Sequence, residues 1–393
     1  MITISNSDIA RKYKVSPASV TGWIENAING KNNLKLTKVK NRFQVLDSLD
    51  NHAELTLLAE SGKKFRAGNP LSKVSPSEEF YRIFNKSEVA EIANTLEIKH
   101  EIIDKYVYKD QGAVLWDQYY KEHTNNSLFR LAILTQKLID LAVDYCIYSA
   151  EGKLKYNLID LGPGNSYPTK PVIEKLQSNN LMNVCGGVDI SPEILDISEQ
   201  NLAEWFPTLQ LRRLVCDLEN CDLNELLMTD RSDDVANLIV HIGNTYCNHE
   251  NRVKFLMNVS KAMSRSDLLL LTVSMDTLDT RMETRHMDTD DSNEHDKIIP
   301  KMLGIDADAC DFRVQFDSVR NIRAKYMSLD KDYQINFKNY TVKLSKGDDI
   351  LMWRHYLATD ESMRNELKLG GLKSVYKAID PTGSYAVYVC KVI

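Results

Sequence analysis

Long apolar runs are missing from this sequence. No stretch approaches the ~18 uncharged apolar residues of a membrane span, which excludes helical integral membrane proteins. The opening Met1-Ile2-Thr3-Ile4-Ser5-Asn6 leads into charged positions without an apolar signal core, so a cytoplasmic protein is expected. Glycine and proline are scarce, 16 and 10 among 393 residues, which excludes collagen-like and broadly disordered chains. The seven cysteines form no CxxC pair and are odd in number. That excludes a zinc ribbon, and it fits a reducing compartment better than a disulfide framework. Repeats with a period of 20–50 residues are absent too, so solenoids and propellers are excluded. What is present is 43% apolar and 26% charged residues, enough to bury a core in two or three units.

Charge divides the chain. Residues 1–75 carry 12 Lys+Arg against 6 Asp+Glu, whereas residues 76–393 carry 37 against 49. A basic arm on an acidic body implies different partners for the two parts. The stretch Arg66-Ala67-Gly68-Asn69-Pro70-Leu71-Ser72-Lys73-Val74-Ser75-Pro76-Ser77 lacks apolar periodicity and reads as the linker, giving domains 1–75 and 76–393.

In the arm, Ser7 is expected to cap a helix with Ile9, Ala10 and Tyr13. Ser16-Pro17 then starts a second helix carrying Val20, Trp23, Ile24 and Ile28. Two alternating runs, Leu34–Val39 and Phe43–Leu46, read as a hairpin, and a helix from about Asp47 to Lys64 follows. The pattern resembles a winged helix-turn-helix. That resemblance implies a recognition helix Pro17–Ile28 exposing Ser16, Ser19 and Thr21, with a wing of Lys35, Lys38, Lys40 and Arg42. Nucleic-acid contact and a docking or dimerisation role both remain open, because the recognition helix has no Arg or Lys.

The body alternates strands and helices. Helical stretches are expected around Val89–Leu96, through Ile102, Ile103 and Tyr106, and over Leu128–Tyr148. Buried strands then follow at Asn157–Leu161, Val184–Ile190, Leu211–Asp217, Ala236–Ile242 and Leu268–Ser274, with helices starting at Thr169 and spanning Pro192–Trp205. The expected fold is α/β. A parallel core sheet occupies about 155–275 and 373–393, and a helical or α+β substrate-binding subdomain occupies about 80–150 and 280–370.

Ligands on such sheets bind beyond the carboxyl ends of the strands. The first loop offers Asp160, Gly162, Gly164, Asn165, Ser166 and Lys170, its glycines letting a ligand approach the backbone. Asp189 and Ile190 end the second strand, where a carboxylate suits a ribose diol. Asp217 and Leu218 end the third, placed to take an adenine amino group and pack its ring, and Gly243 and Asn244 follow the fourth. The order resembles Rossmann-like S-adenosylmethionine (SAM) methyltransferases. A dinucleotide enzyme is the rival, but the GPGNS loop lacks the third glycine of the dinucleotide fingerprint and no phosphate-binding lysine follows.

Longer matches narrow the resemblance. Lys105–Asp117 is similar to the KxFYDxxGSxLFD signature of the histidine Nα-methyltransferases of ergothioneine biosynthesis. The runs Leu158–Gly164, Gly187–Ser191 and His241–Asn248 resemble that family's later motifs in order and spacing, as do the closing runs Lys373–Asp380 and Tyr385–Val392. The resemblance implies SAM as cofactor, S-adenosylhomocysteine (SAH) as product, and Tyr108 and Asn248 as the residues that hold the acceptor's amino group or carboxylate. The Glu and Ser that read the imidazole in that family fall at Trp353 and His355 here, and Trp cannot accept the hydrogen bond that Glu accepts. Trp353 either stacks on a different, planar amine or packs in the core. The family lysine of the glycine loop is replaced by Pro168, and the family's tyrosine pair aligns ambiguously with Tyr119-Tyr120 or Asn125-Asn126. His286, His295, Asp288, Asp290 and Asp291 lack regular ligand spacing and read as a charged loop over the site rather than a metal centre.

The expected function is therefore N-methylation of an amino acid or amine metabolite. A DNA-binding regulator that senses SAM is the alternative. A nucleic-acid methyltransferase is weakened because no Asp/Asn/Ser-Pro-Pro-aromatic run follows the fourth strand.

Overall fold

The computed structural model describes the chain except residues 1–2, 29–31, 40–41, 47, 67–70, 125–129, 150–154, 228–231, 244 and 283–289. Two compact units emerge: Met1–Ser75 with Ser328–Asp349, and Pro76–Met327 with Ile350–Ile393.

In the first unit Ser5, not Ser7, caps the helix Asn6–Tyr13, accepting from the Asp8 amide. Lys14 turns left-handed to end that helix, and Pro17–Ile28 follows. Ser16 Oγ accepts from the Ser19 amide, so its oxygen serves the helix start. Strands Leu36–Val39 and Arg42–Leu46 pair as a hairpin, Thr3–Ile4 adds to its edge, and the helix Leu49–Arg66 follows. Ile9, Val20, Ile24, Val45 and Leu55 share one core. In the hairpin region Lys35 is paired with Asp50, and Lys40 lies outside the described residues. The linker expectation covers 67–70, which are outside the described residues, and Ser72–Val74, which is a strand. That strand pairs in parallel with Tyr333–Asn336, whose other edge pairs with Thr341–Leu344. Residues 328–349 thus belong with the first unit rather than with the body, to which the sequence reading gave them. Pairing between segments so distant in sequence leaves no local signal.

The second unit is built on a seven-stranded sheet. Its five parallel strands are, in chain order, Lys155–Leu161, Met182–Asp189, Leu211–Val215, Val235–His241 and Leu268–Ser274. The first strand sits between the second and the fourth, the third lies beyond the second, and the fifth beyond the fourth. The strand order therefore reverses beside the first strand, the topological switch point at which such sheets bind ligands. Tyr385–Val392 continues the sheet antiparallel to the fifth strand, and Leu372–Ile379 closes the edge. The first, fourth and fifth strands are buried almost throughout, as expected of a sheet covered on both faces, and separate clusters of buried side chains pack on it.

A second, three-stranded sheet joins Asp311–Asp317, Ile322–Ser328 and Asp349–Tyr356. Two sequence expectations fail nearby. The segment through Ile102, Ile103 and Tyr106 makes only one short turn, Asp104–Tyr106, because Leu351 pairs with the backbone at Glu101 and Ile102 and draws it out. The charged segment containing His295 and Asp296 is a helix, Asp290–Met302, rather than a loop. Asp296 turns inward there to meet Lys325 at 2.6 Å, while His286 and Asp288 fall outside the described residues.

Candidate functional site

A cavity of about 950 Å3 opens at the switch point. Gly162 after the first strand, Asp189 and Ile190 at the second, Asp217 and Leu218 after the third, and Gly243 after the fourth all line it. Asp189 is half-buried and accepts from the Ser191 amide at 2.9 Å; burial nevertheless pushes its carboxyl up to about 7. Asp217 is anchored by Lys105 Nζ at 2.8 Å, Asn220 Nδ2 at 2.7 Å and the Glu219 amide at 3.0 Å. Burial works against that carboxylate, but the Lys105 ammonium holds it below the usual range. Cys216 and Cys221 close this loop as a disulfide, a pairing that the cysteine count and spacing did not suggest.

Four residues expected at the cofactor do not line the cavity. Asp160 is buried behind the loop and accepts from the Thr169 hydroxyl. Asn165 Nδ2 donates to Asp117 at 2.9 Å, Ser166 shares a hydrogen bond with Ser198, and Lys170 stacks its ammonium over Trp205. These side chains hold the loop's shape instead of facing ligand space. Asn244 lies outside the described residues. Gly164 lines the cavity too, and at φ +55° an added Cβ would also sit 2.4 Å from the Trp116 ring. Trp116 itself lines the cavity, with Tyr108 edge-on to it.

The opposite wall comes from the segment 101–108 and the three-stranded sheet. Gly112 is required there because a Cβ would strike the Val107 carbonyl oxygen, so the chain can close the turn that carries Tyr108 just before the helix Gln111–Thr124. Tyr108 is half-buried and lines the cavity, and no described group bonds its hydroxyl. Burial, with the charges of Asp104, Asp296 and Asp189, drives its phenol well above the usual range, so it stays protonated.

Asn248 ends a short turn after the fourth strand. His355 Nδ1 lies 2.8 Å from Asn248 Oδ1, and its Nε2 lies 2.9 Å from Ser274 Oγ. A carbonyl oxygen can only accept, so His355 donates through Nδ1 and accepts the Ser274 hydroxyl at Nε2. Burial, then Arg323 and Arg252, keeps the ring neutral by lowering its pKa well below the usual value. The Asn248 carbonyl is thereby engaged, and its Nδ2 donates to no described group. Trp353 stacks on His355 with ring centroids 5.3 Å apart, and Arg323 lies over the Trp353 ring.

Sequence reasoning passed over several lining residues. Arg323 lines the cavity, and it and Lys325 alternate with Ile322, Ala324 and Tyr326, whose side chains form an apolar cluster. Cations at every second position of a buried strand were the available signal. Asp104 lines the cavity, and its carboxyl takes no hydrogen bond from any described group. Burial, Asp296 and Glu101 push it up to about 8, against the pull of Arg354. Tyr119 and Tyr120 both line the cavity, whereas Asn125 and Asn126 are outside the described residues. His241, His249 and Glu219 form a chain beneath Gly162: His241 Nδ1 donates to the Leu161 carbonyl, its Nε2 meets His249 Nε2 at 3.0 Å, and His249 Nδ1 faces Glu219 at 3.2 Å.

A family model described as "Histidine-specific methyltransferase, SAM-dependent" matches residues 88–392. No curated protein matches the sequence. Among solved structures, an S-adenosylmethionine-dependent methyltransferase from Clostridium acetobutylicum ATCC 824 is 14% identical with a TM-score of 0.42, covering 70% of this chain and 97% of its own. Magnesium protoporphyrin IX methyltransferase from Synechocystis PCC 6803, with bound SAH, is 12% identical with a TM-score of 0.41, covering 74% and 98%.

Proposed function

The chain belongs to the histidine-specific, SAM-dependent methyltransferase family, and on that premise we propose that it transfers a methyl group to the nitrogen of an amino acid or other amine-bearing small molecule held by Tyr108 and Asn248. The cavity residues fit SAM. On the rim, Lys105 is already neutralised by Asp217 and Glu91. At Gly243 an added Cβ would meet nothing within 4 Å, so this strand end is open to a ligand's bulk. Asp189 would accept from the ribose hydroxyls, Leu218 would pack the adenine, and Gly162 and Gly243 would admit the ligand to the backbone. SAM supplies an electrophilic methyl group activated by its sulfonium.

The rest of the chemistry falls to this chain. An amine attacks only through a free lone pair, and in-line displacement gains more from alignment than from strong acid or base. Tyr108 keeps its hydroxyl proton, and its oxygen can accept an amine N–H and turn the lone pair outward. Asn248, its carbonyl fixed by His355, presents Nδ2–H to an acceptor oxygen such as a carboxylate. Trp116 and Trp353 cover the reacting space with apolar surface and reduce the water that could compete. One observation carries this reading: Tyr108 and Asn248 line the same cavity as Asp189 and the switch-point glycines, and no described residue bonds the Tyr108 hydroxyl or accepts from Asn248 Nδ2. Incubation of the full chain with SAM and an amine library, followed by mass spectrometry, tests it. N-methylated product together with SAH is expected. SAM binding without SAH formation on any amine would overturn it.

For residues 1–75, the positive charge supports a nucleic-acid or protein partner, with an accessory role beside methyl transfer. Salt-dependent binding of the full chain to duplex DNA distinguishes the two.

A further inference from the structure

The cavity carboxylates are not equivalent. Asp217, Glu219, Glu101 and Glu91 are each bonded to a cation or to a histidine, and Asp189 accepts a backbone amide. Asp104 alone among the described cavity carboxyls receives no donor. Its surroundings are charged. Asp296 of the helix Asp290–Met302 is paired with the buried Lys325, and Glu101 is paired with Arg354 of the strand Asp349–Tyr356. Lys325 and Arg354 are thus engaged by Asp296 and Glu101, and neither hydrogen-bonds Asp104. Asp104 is half-buried, and holding it ionised without a donor is unfavourable, so a proton or a ligand cation completes it. The charges that act on it come from Asp296, Arg354 and Glu101, on the acceptor wall rather than on the strand ends of the rim. Tyr108 lines the same cavity as Asp104 and Asp189.

We propose that Asp104 binds a second, protonated nitrogen of the acceptor, so that the substrate is a diamino compound: a basic amino acid or a diamine. This inference rests on the amine-methyltransferase reading. It assigns recognition of the acceptor's far end to Asp104 instead of to the aligned pair Trp353 and His355, since His355 spends both nitrogens on Asn248 and Ser274. Arrival of the cation ionises the Asp104 carboxyl, and the displaced proton passes to solvent. Burial and the two neighbouring acids hold that proton up to about pH 8, so release is expected at pH 7.5.

Calorimetry on the full chain saturated with SAH tests this at pH 7.5. L-ornithine is compared with its near-isostere L-norleucine, and putrescine with n-pentylamine, each in two buffers of different ionisation enthalpy. The diamino ligand of at least one pair is expected to bind about 10- to 100-fold tighter and to release a proton. Asp104→Asn should bring each pair within about twofold and abolish the release, and Asp104→Glu should keep the preference. Asp104→Ser is a second neutral variant should Asp104→Asn misfold. Equal affinities within both pairs in the wild type would overturn the proposal. So would a preference that survives in the neutral variants, or lost turnover with the preference intact, which would make Asp104 a proton acceptor instead. A SAM titration run alongside separates the failures. SAM binding without ligand discrimination defeats this inference alone, whereas no SAM binding defeats the function it rests on.

Discussion

The two sides of the cavity are built differently. On the rim, the carboxylates are tied to the backbone of the strand ends: Asp189 to the Ser191 amide, Asp217 to that of Glu219, and Glu219 to those of Glu250 and Asn251. Those ends are registered by parallel ladders, so the rim's geometry follows from the sheet itself. The acceptor wall is held by side chains acting on side chains: Glu101 with Arg354, Asp296 with Lys325, and Trp353 on His355. Such contacts can be exchanged without disturbing a strand. On the proposed function, one fold can therefore keep a cofactor site fixed while its acceptor pocket is rebuilt.

That contrast can be broken by substitution. The largest effect is expected on the rim, where Asp189→Ala should weaken SAM binding by about 100-fold or more, measured by calorimetry, because a charge-assisted pair of ribose hydrogen bonds is lost. On the wall, Tyr108→Phe should leave SAM affinity within about twofold and lower kcat/KM by about 30-fold, since only orientation of the acceptor is lost. Weakened SAM binding in Tyr108→Phe would show that the sides are not separable.

Two further variants sharpen the account of the glycine loop. Gly164→Ala should destabilise the protein by about 2 kcal/mol in denaturant titration, through a left-handed φ and a clash with Trp116. Asp160→Asn should act on stability and not on SAM affinity. Burial raises the Asp160 carboxyl from 3.8 to about 7 despite the Thr169 hydroxyl, so the folded protein holds this proton to higher pH than the unfolded chain. Its stabilising contribution is complete below about pH 4 and is lost as pH rises to about 7. Asp160→Asn should therefore match the wild type at pH 4 and exceed it by about 4 kcal/mol at pH 8, read from the pH dependence of Tm.

The rim was legible in the sequence because its chemistry is local. A buried apolar run followed by Gly162, Asp189 or Asp217 announces a strand end and its loop at once. The same logic overreached at Asn165, Ser166 and Lys170, whose side chains turn away to Asp117, Ser198 and Trp205, contacts that only the tertiary packing creates. On the wall, Tyr108, Asn248, Trp353 and His355 were legible through the family resemblance and all line the cavity, whereas Asp104 and Arg323 were not. Asp104 acquires its character from Asp296 and Arg354, far away in the chain, and Arg323 becomes a lining residue only because its strand pairs beside Asp349–Tyr356. The strand Ser72–Val74 escaped for the same reason, since its partner lies at Tyr333–Asn336.

The most direct test of the central claim is a calorimetric titration of the full chain with SAM, repeated on Asp189→Ala. Saturable one-to-one binding by the wild type, with a Kd in the micromolar range and heat lost in the variant, is the predicted result. No heat with millimolar SAM, or equal binding by Asp189→Ala, would contradict it.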